Sequence, residues 1–209
     1  MTNKTGTLYL CATPIGNLED MTYRVVRTLN EVDVIAAEDT RNSIKLLNHF
    51  DIHTPMTSYH EYNKIEKGRI LVRQMLEGQN VALITDAGMP GISDPGEELV
   101  RMCRDAGVPV TALPGACACV TALVISGQST RRFCFAAFLP TDQTERQAVL
   151  EESKDETRTT VIYEAPHRLQ KTLKELLEHL GNRNLTICRE LTKKHEAVLS
   201  KSELKKWVN

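Results

Sequence analysis

The sequence predicts an α/β protein of two domains, and three observations carry that reading. In the first half, short apolar runs alternate with amphipathic segments of helical period, the pattern of a parallel sheet wrapped by helices. Polar stretches rich in glycine and proline follow those apolar runs, which places them together on one predicted sheet edge. Near Pro114 the pattern changes character, and a second series of strand-like and helical segments begins.

In chain order, the apolar runs at residues 8–12, 32–37, 56–59, 81–85 and 110–113 are the candidate strands of the first domain. Between the first two, Val25, Val26 and Leu29 share a helical face; between the third and fourth, Leu71, Val72, Met75 and Leu76 do the same. Gly78 and Gly107 stand where left-handed C-terminal caps would close the third and fourth helices. The N-terminal domain is therefore placed at residues 1–113. Residues 116–126 then form a helix carrying the small side chains of Ala116, Ala118 and Ala122, ending at Gly127. Strand-like runs at residues 133–138, 160–163 and 185–189 alternate with helices at about 145–153 and 169–180. This predicts a C-terminal α/β domain over residues 114–209 with a mixed sheet. A cleft between two such domains is a natural small-molecule site.

With 209 residues, 41% hydrophobic and 25% charged, the chain is long enough to bury a core, and neither disorder nor a fibre is indicated. No apolar run approaches the roughly 20 residues of a spanning helix. The start, Met1-Thr2-Asn3-Lys4-Thr5, lacks the apolar core of a signal peptide, so a cytoplasmic protein is expected. The six cysteines, Cys11, Cys103, Cys117, Cys119, Cys134 and Cys188, form no C-x-x-C pair or Cys/His cluster and read as structural thiols, with no metal. A formal net charge of −1 supplies no global basic field, so an RNA substrate would be attracted by local patches or by another subunit. The P-loop and dinucleotide fingerprints are missing, which disfavours ATP and NAD; H-E-x-x-H and G-x-S-x-G are missing too, which disfavours metal and serine hydrolysis.

The strand ends hold the chemistry. After the first run comes Thr13-Pro14-Ile15-Gly16-Asn17-Leu18-Glu19-Asp20, after the second Glu38-Asp39-Thr40-Arg41, and after the third His60-Glu61-Tyr62-Asn63. The fourth leads into a loop from Asp86 to Gly96, and the fifth into Pro114-Gly115-Ala116. The Asp86 loop is longer than the two to six or so residues a βα connection needs. Its glycines permit close approach of a ligand, its prolines stiffen the path, and its acids accept hydrogen bonds. Any one of these stretches also suits a turn or helix cap, as Asp20 and Asn42 do; several on one edge point to a shared site.

The segments running from Leu8 to Asp20, Ile35 to Arg41, Ser58 to Glu61 and Asp86 to Gly96 resemble the tetrapyrrole methylase superfamily. Together with Phe138-Leu139-Pro140, Tyr163-Glu164-Ala165-Pro166-His167-Arg168-Leu169 and Arg189-Glu190-Leu191-Thr192-Lys193-Lys194, they resemble its branch that methylates ribose 2′-oxygens of 16S ribosomal RNA. The resemblance spans residues of about 6 to 207. It implies an S-adenosylmethionine-dependent methyltransferase with the cofactor in a cleft between two α/β domains, acting as a homodimer on a cytidine of the small ribosomal subunit. It further implies that Leu10, Pro14, Asp86, Gly88, Met89, Pro114, Gly115, Ala118, Cys119 and Tyr163 contact the cofactor. Cys117 stands where many relatives carry serine or asparagine, and relatives continue beyond Asn209, so the chain is expected to be truncated relative to them.

Methyl transfer from a sulfonium is an in-line displacement, so alignment dominates and a base takes the hydroxyl proton. Among Glu38, Asp39, His60, Glu164 and His167, the expected base is Glu38 or His60. Asp39, Arg41, Glu164, His167, Arg168 and Lys193 are expected on the substrate side, the cations as phosphate clamps. Two rival readings are methylation of a corrin or porphyrin carbon and a binding protein that keeps the fold without turnover.

Overall fold

Five strands, β1 (Leu8–Cys11), β2 (Val34–Ala37), β3 (Met56–Ser58), β4 (Val81–Ile84) and β5 (Val110–Leu113), pair in the order β3-β2-β4-β1-β5, and every pairing is parallel. The structure, a computed structural model, describes residues 4–201 and 203–208. All four residues of β4 are buried, as a continuous apolar run at the centre of a parallel sheet requires. Leu8 of β1 lies opposite Val81 on one side and Val110 on the other.

Helices α1 (Tyr23–Glu31), α2 (Thr40–His49), α3 (Lys64–Leu76) and α4 (Glu97–Asp105) connect the strands. One apolar cluster gathers Val25, Leu29 and Leu47 from α1 and α2 with Ile35 and Ile84 of the sheet. A second gathers Leu71, Met75, Leu99 and Cys103 from α3 and α4 with Leu8, Leu83 and Tyr59. The two clusters are the two covered faces of the sheet. Thr22 caps α1 by accepting from the Val25 N–H, and Asp39 caps α2 by accepting from the Arg41 N–H. Parallel pairing with helical crossovers carries the carboxyl ends of all five strands, and the loops that follow them, to a single edge.

Contacts divide the chain into Met1–Cys117 and Ala118–Asn209. The second unit contains α5 (Ala118–Ile125), β6 (Phe133–Phe138), α6 (Gln143–Glu152), β7 (Thr159–Tyr163), α7 (Leu169–Leu180), β8 (Leu185–Arg189), β9 (Ala197–Lys201) and α8 (Lys205–Val208). Its strands form two pairs. β6 and β7, joined through α6, are parallel; β8 and β9, joined by a turn, are antiparallel. The mixed character expected of this half thus resides in two small sheets. Leu139, Leu150, Leu173, Leu176 and Leu204 make its core. No helix among the described residues is long and apolar enough to cross a membrane.

Candidate functional site

The loops after β1 and β4 are stitched together by backbone. Thr13 and Gly88 exchange both main-chain hydrogen bonds, each 3.0 Å, and the buried Thr13 hydroxyl donates to the Thr85 carbonyl at 3.1 Å. Gly88 has φ of +87°, and a Cβ built there would lie 3.2 Å from Ile15 Cγ2 and 3.5 Å from the Ala116 carbonyl oxygen. At the end of β5, a Cβ on Gly115 would stand 2.7 Å from the Cβ of Ala12. Three strand ends therefore meet through main chain, with side chains excluded by space or conformation. Leu10, Pro14 and Met89 are half-buried around this junction, while Pro114 and Gly115 are exposed.

Carboxylates crowd the adjoining strand ends. The Asp86 N–H donates to Glu38 Oε2 at 3.5 Å, and Asn42 Nδ2 donates to Asp86 Oδ2 at 3.1 Å, so the ends of β2 and β4 are joined through side chains. Burial pushes the Glu38 carboxyl up, and the charges of Asp94, Asp86 and Asp39 push it the same way. Asp94 is also raised, by burial first and by Asp86 as well. Asp39 goes the other way: the Arg41 guanidinium grips it in a fork, Nε to Oδ1 at 3.1 Å and Nη2 to Oδ2 at 2.8 Å, holding its carboxyl at about 2. Arg41 is otherwise open to solvent, its side chain 88% exposed. Apart from that fork, this corner carries an excess of negative charge suited to a cationic ligand.

After β3, the Tyr59 N–H donates to the Ala37 carbonyl at 2.8 Å, and Asn63 Oδ1 accepts from the His60 N–H at 2.8 Å, which fixes the turn. His60 Nδ1 is buried with no hydrogen-bond partner among the described residues. A proton on that nitrogen would be an unsatisfied buried donor, costing about 1–3 kcal/mol. Glu38, raised by burial, holds a proton more tightly than an ordinary carboxylate.

In the second unit, Tyr163 ends β7 and its hydroxyl accepts from the Cys119 N–H at 2.8 Å, satisfying a first-turn donor of α5. Phe135 and Phe138 pack edge-on against the Tyr163 ring, at centroid distances of 5.0 and 5.5 Å. Cys119 is buried and Ala118 half-buried. Glu164 is spoken for inside the unit: Oε1 accepts from the Ala165 N–H at 2.7 Å and lies 2.9 Å from Arg168 Nε, while Oε2 accepts from the Thr172 hydroxyl at 2.6 Å. Burial raises its carboxyl, but those hydrogen bonds and the charges of Arg168 and Arg146 outweigh it, and the net shift is downward. His167, on the same turn, is exposed. Lys193 sits in the turn between β8 and β9, 3.1 Å from Glu190.

The expected residues thus fall into groups. Leu10, Pro14, Glu38, Asp39, Arg41, His60, Asp86, Gly88, Met89, Pro114 and Gly115 share the carboxyl edge of the five-stranded sheet. In the second unit Tyr163 meets Cys119, and Glu164, His167 and Arg168 share one turn, whereas Lys193 lies on the separate β8–β9 hairpin. Thr13, Asn42 and Asp94 also belong to the edge; in the sequence Thr13 and Asp94 stand in the strand-end stretches and Asn42 reads as a helix cap, without an individual site role. Their position after an apolar run is a usable signal; their partners are not.

A family model described as tetrapyrrole (corrin/porphyrin) methylases matches residues 7–206. A ribosomal RNA small subunit methyltransferase I of Halalkalibacterium halodurans is 56% identical over 93% of this chain and 67% of its own length. The protein of the same name from Haemophilus influenzae is 48% identical over 100% of this chain and 75% of its own length. Among solved structures, diphthine synthase superposes with a TM-score of 0.74 at 14% identity, covering 97% of this chain and 84% of that one, a likeness of fold.

Proposed function

The chain belongs to the tetrapyrrole (corrin/porphyrin) methylases, and from that premise we propose that it transfers the methyl group of S-adenosylmethionine to the ribose 2′-oxygen of a cytidine in 16S ribosomal RNA. The observation that carries this reading is the 56% identity, over nearly the whole chain, to a relative named as a small-subunit ribosomal RNA methyltransferase. Relatives of this name are 44–56% identical to the chain, which does not favour the corrin or porphyrin alternative.

The site fits the cofactor on physical grounds. Gly88 and Gly115 keep side chains out of the junction where an adenosine would approach backbone, bordered by Leu10, Pro14, Met89 and Pro114. Asp86 and Asp94 answer cationic groups, an ammonium or a sulfonium. When bound, S-adenosylmethionine supplies an electrophilic methyl group. The protein contributes alignment, and Glu38 accepts the proton that the ribose hydroxyl gives up. Arg41, exposed and oriented by Asp39, pairs with an RNA phosphate; in the second unit, taken by itself, His167, Arg168 and Lys193 are the residues for RNA contact. A homodimer is supported by α5, apolar except for Thr121, whose Val120, Val124 and Ile125 are exposed.

The test is transfer of labelled methyl from S-adenosylmethionine to small ribosomal subunits lacking the modification, beside a porphyrinogen acceptor. Label in the RNA supports the reading; label only in the tetrapyrrole overturns it. Cofactor binding without transfer to either supports the non-catalytic reading instead.

A further inference from the structure

A single guanidinium ties together two strand ends of the second unit. Arg146, on α6, has a side chain only 6% exposed. Its Nη1 donates to the Pro140 carbonyl, just past β6, at 3.2 Å. Its Nη2 donates to the Thr172 hydroxyl at 2.7 Å, and that hydroxyl donates onward to Glu164 Oε2, just past β7, at 2.6 Å. Glu175 neutralises the charge, accepting from Nε at 2.8 Å. Glu164 in turn holds the Ala165 N–H and lies against Arg168 Nε, while the Arg168 N–H closes the turn on the Ala165 carbonyl at 2.9 Å.

Such a chain is a poor way to gain stability. Desolvating the two ions of a buried pair costs several kcal/mol each, and apolar residues of similar volume often serve the fold as well. The arrangement is, however, highly directional: three N–H vectors of a rigid fork set the relative placement of the turns after β6 and β7. At the apex of the second turn stands His167, exposed and engaged by nothing in this chain of bonds. We propose that Arg146 is a positioning residue for the ribosomal RNA substrate, acting through Thr172 and Glu164 to hold the 164–168 turn so that His167 meets the RNA. Glu164 then serves inside this relay rather than as an RNA ligand. The proposal rests on the RNA-methyltransferase reading above.

The experiment is a double-mutant cycle on the full chain, read as KM and kcat for small subunits, S-adenosylmethionine affinity and melting temperature. Arg146→Met and His167→Ala are each expected to raise the RNA KM about tenfold with cofactor affinity unchanged. In the His167→Ala background, Arg146→Met is expected to add less than about twofold, because its effect is already spent. Arg146→Lys is not expected to rescue. Thr172→Val, which cuts the relay but leaves the Arg146–Glu175 pair, tests the same path should Arg146→Met fail to fold. Multiplying losses in the double variant, an inert His167→Ala, or losses that follow melting temperature and cofactor affinity overturn the positioning role while leaving the enzyme reading intact. Absence of transfer by the unsubstituted chain overturns both.

Discussion

Replacing Gly88 by valine separates a built cofactor cradle from an ordinary loop. The residue sits at φ of +87°, where an L side chain costs about 1–2 kcal/mol and a β-branched one more. Its Cβ would press on Ile15 Cγ2 at 3.2 Å, with two further methyls to place beside the Ala116 carbonyl. If the loop backs away, the paired hydrogen bonds with Thr13 weaken, each worth about 0.5–1.5 kcal/mol net. Together these come to about 2–5 kcal/mol, within a typical total of about 5–15 kcal/mol, so the fold persists. The cofactor recess does not. Titration calorimetry with S-adenosylmethionine is expected to show affinity reduced by tenfold or more, a loss of about 1.4 kcal/mol or above. Gly107→Val is the control: it imposes the same kind of backbone strain at φ of +73°, with nothing within 4 Å of the new Cβ, and lies beyond the C-terminus of α4. A folded Gly88→Val protein that binds as tightly as the parent, or equal losses in the Gly107→Val control, would refute the reasoning.

Three further outcomes are expected. Glu38→Gln keeps the shape of the carboxyl but loses its basicity, so kcat is expected to fall by about 10²–10⁴ with cofactor affinity retained, while His60→Ala leaves far more activity; rapid-quench methyl transfer compares them. Because Glu38 and Asp94 are raised in the folded chain, ligand-free protein gains stability as pH falls through their raised range, and a cationic cofactor, which needs them ionised, binds more weakly there. Calorimetry from about pH 7 to about pH 5 reads this directly, and a flat affinity would contradict it. Arg41→Ala removes an exposed cation, so the melting temperature is expected to change little, while the salt dependence of RNA binding flattens by roughly one charge. A parallel drop in cofactor affinity and melting temperature would instead make Arg41 a structural partner of Asp39.

Much of this was legible because local pattern and tertiary placement coincide in a parallel sheet. Fully buried strands such as Val81–Ile84 are continuous apolar runs, so the polar residues after them mark the carboxyl edge without knowledge of a single contact. The helix read at about residues 169–180 coincides with Leu169–Leu180. What escaped was long-range or solvent-facing. β9 (Ala197–Lys201) leaves Val198, Leu199 and Ser200 exposed and, among the described residues, pairs only with β8, so no strong alternation announces it. Arg146 lies in the polar stretch Gln143-Thr144-Glu145-Arg146-Gln147 and looks like a solvated charge; its burial depends on Pro140, Thr172 and Glu175. The Glu164–Thr172 bond is equally hidden in the sequence, since the two residues are separated by a turn and the start of a helix. His60 reads as a candidate base from its place after a strand, whereas the burial of its Nδ1 without a partner among the described residues is a property of packing.

Where the methyl group lands is the most direct measure of the central claim. After transfer of labelled methyl to small ribosomal subunits, the extracted 16S RNA is hydrolysed with alkali, which cleaves only beside a free 2′-hydroxyl. The account predicts label in an alkali-resistant dinucleotide whose 5′ residue is cytidine, and its loss from the Glu38→Gln reaction. Label released as a base-methylated mononucleotide, or found in a dinucleotide led by another base, would contradict it.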